Sequence, residues 1–183
     1  VASGSRVSPF RDVPASHWAA PYIQLAVKNG FCKGYLDASF RPDNTILYEE
    51  ALTMLLQVLG YTQEDFGSSW PYGQIGMAKK IGLCDDVDRQ AGDTLTRRDV
   101  LHLCYRLLTT PAKGEQEDYI TKLRYQIVED VVLIATAQED SAVGSDKVLT
   151  SAGTYQIGGS FSPDTVGKKG DAIIKEGDRL VAF

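Results

Sequence analysis

Gly30-Phe31-Cys32-Lys33-Gly34-Tyr35-Leu36-Asp37-Ala38-Ser39-Phe40-Arg41-Pro42-Asp43-Asn44 is the stretch that decides how this chain folds. Glycine, aspartate, serine and Pro42 make it a turn-laden loop that helix cannot cross. On its N-terminal side Pro21 suits a first helical position, and Tyr22, Ile23, Leu25 and Ala26 form an apolar stripe that Gly30 stops. On its C-terminal side Ala51, Leu52, Met54, Leu55, Leu56, Val58 and Leu59 predict a strongly buried second helix, closed by Gly60. The unit is helix, loop, helix.

That unit occurs twice. Trp18 and Trp70 are 52 residues apart, as are Cys32 and Cys84, whereas Glu50 and Asp99 are 49 apart. A constant offset that slips by three inside a loop marks a duplication with a short deletion. In the second copy Ile75, Met77, Ala78 and Ile81 make the first stripe, ended at Gly82. Thr96-Arg97-Arg98-Asp99 then reads as a capping box with Asp in place of the usual Glu. Val100, Leu101, Leu103, Cys104, Leu107 and Leu108 are the expected core face of that helix. Neither copy can bury its apolar face alone, so the two should pack on each other.

After Leu108 the texture changes. Thr109-Thr110-Pro111-Ala112-Lys113-Gly114 reads as linker, and Glu115 to Leu123 has room for a short helix. From Tyr125 onward β-branched runs alternate with turns: Ile127 to Thr136, Lys147-Val148-Leu149-Thr150, Thr154-Tyr155-Gln156-Ile157, Ala172-Ile173-Ile174 and Arg179 to Phe183. Lys175-Glu176-Gly177-Asp178 looks like a hairpin turn, and Gly158-Gly159 and Gly167 to Gly170 like further turns. The expectation is an α+β chain: a repeat at 1–62, a divergent second repeat at 63–110, a linker at 111–124 and a small, mainly antiparallel β domain at 125–183. The β half is the more acidic, with 8 basic against 12 acidic residues after Thr110 and 11 against 12 before it.

Composition narrows the function classes. The 183 residues are 43% hydrophobic and 23% charged, as in a folded soluble protein. No apolar run approaches the ~20 residues of a membrane-spanning helix. The net charge of −5, with no basic cluster interleaved with aromatics, disfavours nucleic acid. Cys32, Cys84 and Cys104 have neither Cys-x-x-Cys spacing nor a histidine at metal distance, and are expected as small buried hydrophobes. Asp85-Asp86-x-Asp88 lacks the Gly and closing Glu of a calcium loop and reads as a solvated turn. No phosphate loop and no nucleophile–histidine pairing is recognisable, so neither metal nor cofactor is expected. The start at Val1-Ala2-Ser3-Gly4, without Met or a signal-like stretch, suggests a piece of something longer.

Phe10-Arg11-Asp12-Val13-Pro14-x-x-His17-Trp18-Ala19, followed by Gly30-Phe31-x-x-Gly34-Tyr35-x-Asp37-x-x-Phe40-x-Pro42, resembles the S-layer homology repeat. That family opens its second helix with a Thr-Arg-Ala-Glu-like tetrad; Leu47-Tyr48-Glu49-Glu50 and Thr96-Arg97-Arg98-Asp99 occupy those positions. The resemblance covers residues 10 to about 108, and the Ser3-Gly4-Ser5 stretch looks like a linker after an earlier repeat. The β half resembles segments that follow such repeats in surface proteins of Gram-positive anaerobes. The resemblance implies a non-catalytic extracellular module of the cell wall or S-layer, anchored through anionic secondary cell-wall polysaccharide. It also implies grooves between repeats.

An acidic sugar asks for an aromatic platform, a cationic fork and backbone N–H groups at a helix start. Thr96 and Arg97 supply the last two together. Leu47-Tyr48-Glu49-Glu50 supplies neither, and sets two carboxylates where an anion would dock. Trp18, Asp12 and Arg41 complete the candidate carbohydrate site. Trp18 and Trp70 read more readily as core or inter-repeat packing than as sugar platforms, and Asp12 as a turn or N-cap residue; Arg97 could equally be a solvated first-turn residue, and Arg41 could equally pair with Asp43. The alternative to glycan anchoring is a structural module of a surface or S-layer protein that packs on neighbouring domains and binds no glycan.

Overall fold

The computed structural model describes residues 10–160 and 162–183; the Ser3-Gly4-Ser5 linker lies outside the described residues. The helices are α1 (Ala20–Lys28), α2 (Tyr48–Val58), a one-turn α3 (Gln63–Phe66), α4 (Tyr72–Lys80), α5 (Arg97–Leu108) and α6 (Tyr119–Lys122). Five strands follow: β1 (Tyr125–Thr136), β2 (Lys147–Thr150), β3 (Gly153–Ile157), β4 (Lys169–Lys175) and β5 (Arg179–Ala182). The α+β organisation expected from the sequence is the one found. The described residues fall into two compact units, one reaching to Tyr119 and the other spanning Ile120–Phe183.

The first helices of the two helix–loop–helix units end alike. After α1 the chain turns at Gly30 (φ 75°), with Gly30 N–H donating to Val27 O and Phe31 N–H to Ala26 O. After α4 it turns at Gly82 (φ 74°), with Gly82 N–H donating to Lys79 O and Leu83 N–H to Ala78 O. Both pairs of bonds satisfy the last helical carbonyls, and both need a left-handed residue that only glycine adopts at no steric cost. Helix lengths match as well, 9 residues for α1 and α4, 11 and 12 for α2 and α5.

The main core of the helical unit belongs to both copies. Tyr48, Leu52, Leu56 and Leu59 around α2 bury with Phe66, Ala78, Leu83, Val87 and Leu103 of the second copy. The α1 region keeps a smaller cluster of its own, Phe10, Val13, Ala20 and Ile23 with Phe40 and Val27 against it.

Several expected burials are corrected. Among the three cysteines only Cys84 is buried; Cys32 is half-buried and Cys104 exposed. On α5 Leu103 alone is fully buried, while Val100 and Leu101 face outward, Leu101 at 69% exposure. Tyr22 and Leu25 of the α1 stripe are exposed too, because that helix covers only the small cluster through Ala20 and Ile23. Trp18 and Trp70, offered as packing residues, are 79% and 54% exposed.

The strands close into a barrel ordered β1-β2-β3-β5-β4, with β1 pairing both β2 and β4. All pairings are antiparallel except β3 with β5, which are parallel through Gln156–Arg179 and Ile157–Leu180. This is the strand order of the five-stranded Greek-key barrel called the OB-fold. Val131, Leu133, Val148, Ala172, Ile174 and Leu180 fill the interior. Lys175 and Arg179 pair across a turn in which Gly177 (φ 87°) and Asp178 (φ 57°) are both left-handed, as the hairpin reading required. Gly158 and Gly159 are not a turn: Gly158 N–H donates to Leu180 O, and a Cβ on Gly159 would strike the Val181 carbonyl.

Candidate functional site

The first-copy loop is held by Asp12. Its carboxylate accepts from Phe40 N–H (2.9 and 3.1 Å) and Arg41 N–H (2.6 Å). Burial would raise the Asp12 carboxyl, but these backbone donors outweigh it and hold the group below the ordinary carboxylate value. The clamp fixes a backbone in which Ala38 and Arg41 both sit at φ 59°, a region side chains avoid. Such outliers persist only where surrounding contacts over-determine them. Asp12 therefore acts on the loop, with its oxygens already committed to main-chain donors.

The constrained backbone presents Arg41 to its neighbours. Its guanidinium lies 4.0 Å from the Tyr35 ring centroid, and its Nε donates to Ser39 Oγ (3.2 Å). Arg41 (3.5 Å) and Arg11 (3.1 Å) both reach Asp37, in exposed pairs of small energetic weight. Tyr35 Oη donates to Glu50 Oε1 (3.2 Å), tying the loop to the start of α2. The pairing of Arg41 with Asp43 left open by the sequence is not among these bonds; Asp37 takes that place. Two arginines, a tyrosine face and one shared carboxylate thus stand together on the first copy.

The second tetrad caps α5 as expected. Thr96 Oγ1 accepts from Asp99 N–H (3.2 Å), and an Asp99 oxygen accepts from Thr96 N–H (2.8 Å) and Oγ1–H (2.7 Å). Arg89 adds a 2.8 Å ion pair to the same oxygen. The Thr96 backbone and hydroxyl bonds, joined by Arg89, pull the Asp99 carboxyl down to about 2. Arg97 follows at the first helical position. It is exposed and joins none of the ion pairs made by the described residues.

The first tetrad does something else. Leu47 bridges Thr94, Tyr48 N–H donates to Asp93 O (2.8 Å), and Glu49 Oε2 accepts from Gly92 N–H (2.9 Å). Glu50 accepts from Leu47 N–H (3.0 Å) and caps α2 from within. Both carboxylates that looked repulsive in the sequence are consumed, Glu49 in the seam between copies and Glu50 in the cap. Tyr48 is wholly buried with its hydroxyl unpaired; burial, then the Cys84 thiol beside it, pushes its phenol far up.

The seam sets the two tetrads next to each other, since the Leu47–Thr94 bridge stands two residues before Thr96. Of the candidate residues, Asp12 and Arg41 are in direct contact, and Thr96 and Arg97 share a helix start. Trp18 stands just before α1, stacked on His17 (centroids 6.0 Å) and tilted against exposed Tyr22 (6.4 Å). Nothing described joins Trp18 to the other four. Sequence reading missed Arg11, Tyr35 and Tyr22 as candidates. The Gly34-Tyr35-x-Asp37 motif was the usable signal, because so tight a loop must fold Arg41 back toward Tyr35.

Residues 9–52 match the S-layer homology domain. The chain is 31% identical over 151 residues to a cell surface protein of Thermoanaerobacter kivui, covering 79% of this chain and 19% of that protein. It is 28% identical over 124 residues to the middle cell wall protein of Brevibacillus brevis and 27% over 128 residues to the surface layer protein of Brevibacillus choshinensis. Each of the latter covers 68% of this chain and 12% and 11% of the respective relative. The chain thus spans a fifth or less of the curated relatives it matches. The T. kivui match is longer than the helical unit, so it runs on into the barrel residues. No helix among the described residues is long and apolar enough to cross a membrane. With a matched domain at residues 9–52 and relatives named as a cell surface, a middle cell wall and a surface layer protein, this chain is an S-layer homology domain protein of the cell surface.

Proposed function

We propose that the helical unit is a non-catalytic anchor that binds an anionic secondary cell-wall polysaccharide through a groove at Thr96 and Arg97. The observation that carries this reading is the uncommitted Arg97 guanidinium at the capped start of α5. Arginine's fork suits a sugar carboxylate in two-point geometry, and the helix start adds N–H donors and partial positive charge. Arg41, poised over Tyr35, offers a second cation, and Trp18 an exposed ring for a pyranose face. Thr96 and Asp12 contribute by holding Arg97 and Arg41 in place. The working division is a repeat at 1–62, its divergent partner at 63–110, a linker at 111–124 and the barrel domain at 125–183.

Sedimentation with purified sacculi, before and after the secondary polymer is stripped, tests the proposal. Arg97→Ala and Trp18→Ala should each cut binding to intact sacculi about tenfold or more while leaving the thermal midpoint unchanged. Equal binding to stripped and intact sacculi would refute it. A second reading, an assembly module that packs on neighbouring domains, draws support from exposed Val100, Leu101 and Tyr72. It predicts instead that Leu101→Ser alters self-association and that Arg97→Ala does nothing.

A further inference from the structure

The barrel unit carries a site of different chemistry. Because β2 runs antiparallel to both β1 and β3, the β1–β2 connection (137–146) and the β3–β4 connection (158–168) leave the same end of the barrel. Between them lies a cavity of about 390 Å³, lined among others by Thr136, Gln138, Glu139, Ser145, Ile157 and Val166. That volume is in the lower part of the ~300–1,000 Å³ range of small-molecule sites.

We propose that this cavity binds one neutral sugar residue, with a ring hydroxyl donating to the Glu139 carboxylate. Glu139 Oε2 accepts from Thr136 N–H (2.9 Å) and Thr136 Oγ1–H (2.6 Å), which anchors that oxygen. The Thr136 hydroxyl and backbone bonds also keep the carboxyl below its ordinary value, so it stays an acceptor. Oε1 takes part in no described bond and is free for a ligand hydroxyl. Gln138 and Ser145 can each donate and accept, while Ile157 and Val166 offer an apolar wall to the C–H face of the ring. Among the described residues no Lys or Arg lines the cavity, so an acidic sugar would meet Glu139 uncompensated. Barrels of this topology take oligosaccharides across their β2–β3 face, flanked by the β1–β2 connection. Here the outward Lys147, Leu149, Thr154 and Gln156 give that face no aromatic platform, and the polar groups collect at the barrel end. The site is independent of the arginines of the helical unit and stands or falls separately from them.

The test is amide-resolved NMR of the full chain titrated with glucose and, separately, with glucuronate. Glucose should give saturable shifts at Ala137–Glu139 and Ile157–Gly159, with glucuronate weaker by about tenfold or more, as like-charge repulsion requires. Glu139→Ala should abolish the shifts; Ser145→Trp, at an exposed position, should block the cavity with the fold intact. Arg97→Ala should leave them unchanged. No saturable shift at these amides, equal response to both sugars, or survival of the response in Glu139→Ala would each overturn the proposal.

Discussion

Gly34 shows how much a single residue decides. It sits at φ 70°, and a Cβ there would strike the Phe10 ring and approach the Ser39 carbonyl at 2.9 Å. Gly34→Ala therefore combines a left-handed backbone cost with displacement of a core ring. It should lower unfolding free energy by about 1–3 kcal/mol in a urea titration; an unchanged midpoint would mean the loop does not close on Phe10. Asp12 acts at the same scale: its two oxygens hold Phe40 and Arg41, and so it shapes the loop. Residue type and spacing made Asp12 and Arg41 visible as candidates in the sequence. Which of the two would keep free polar atoms depended on a bond spanning 29 residues, beyond the reach of any local rule.

At the scale of elements, the two tetrads diverge because one was recruited into a seam. Leu47-Tyr48-Glu49-Glu50 lacks the capping hydroxyl and the arginine, and its Tyr48 and Glu49 instead bury against the second copy. Tyr48 is a core residue, which gives a clear contrast. Tyr48→Phe removes an unpaired buried hydroxyl and should leave stability unchanged or raise it by up to about 1 kcal/mol. Tyr48→Ala opens a large cavity and should cost about 3–5 kcal/mol. Equal losses in chemical denaturation would show that the hydroxyl has a partner after all. The exposed faces of α1 and α5 belong to this scale as well. Periodicity marks Leu101 and Leu25 as apolar stripe residues, but a stripe states only that burial is available. Whether a neighbouring helix covers it is settled by packing, and within the helical unit Leu103 and Ile23 take that place.

For the whole molecule, charge sets the acid limit of stability. Asp99 is drawn down to about 2 by its Thr96 bonds and Arg89, and Asp12, Asp37, Asp65, Asp86 and Glu139 are lowered as well. Each binds its proton less readily folded than unfolded, so protonation favours unfolding. Their contribution is complete above the unfolded carboxylate value of about 4 and fades as pH falls from there toward 2. Melting temperature should be flat from pH 7 to about 5 and drop below 4. Asp99→Asn should soften that drop; an identical slope in the variant would remove the cap from the explanation.

Sequence alone determined the duplication, the glycine-stopped helices, the α5 cap and the change from helix to strand, because each rests on contacts within a few residues or on a repeated period. Only the tertiary structure decided that Glu49 and Tyr48 form the seam, that Trp18 and Cys104 face outward, and that five short strands close through a parallel β3–β5 pair. Those outcomes depend on which surfaces meet across tens of residues, and hydrophobic burial is blind to direction until the partner surface is in place.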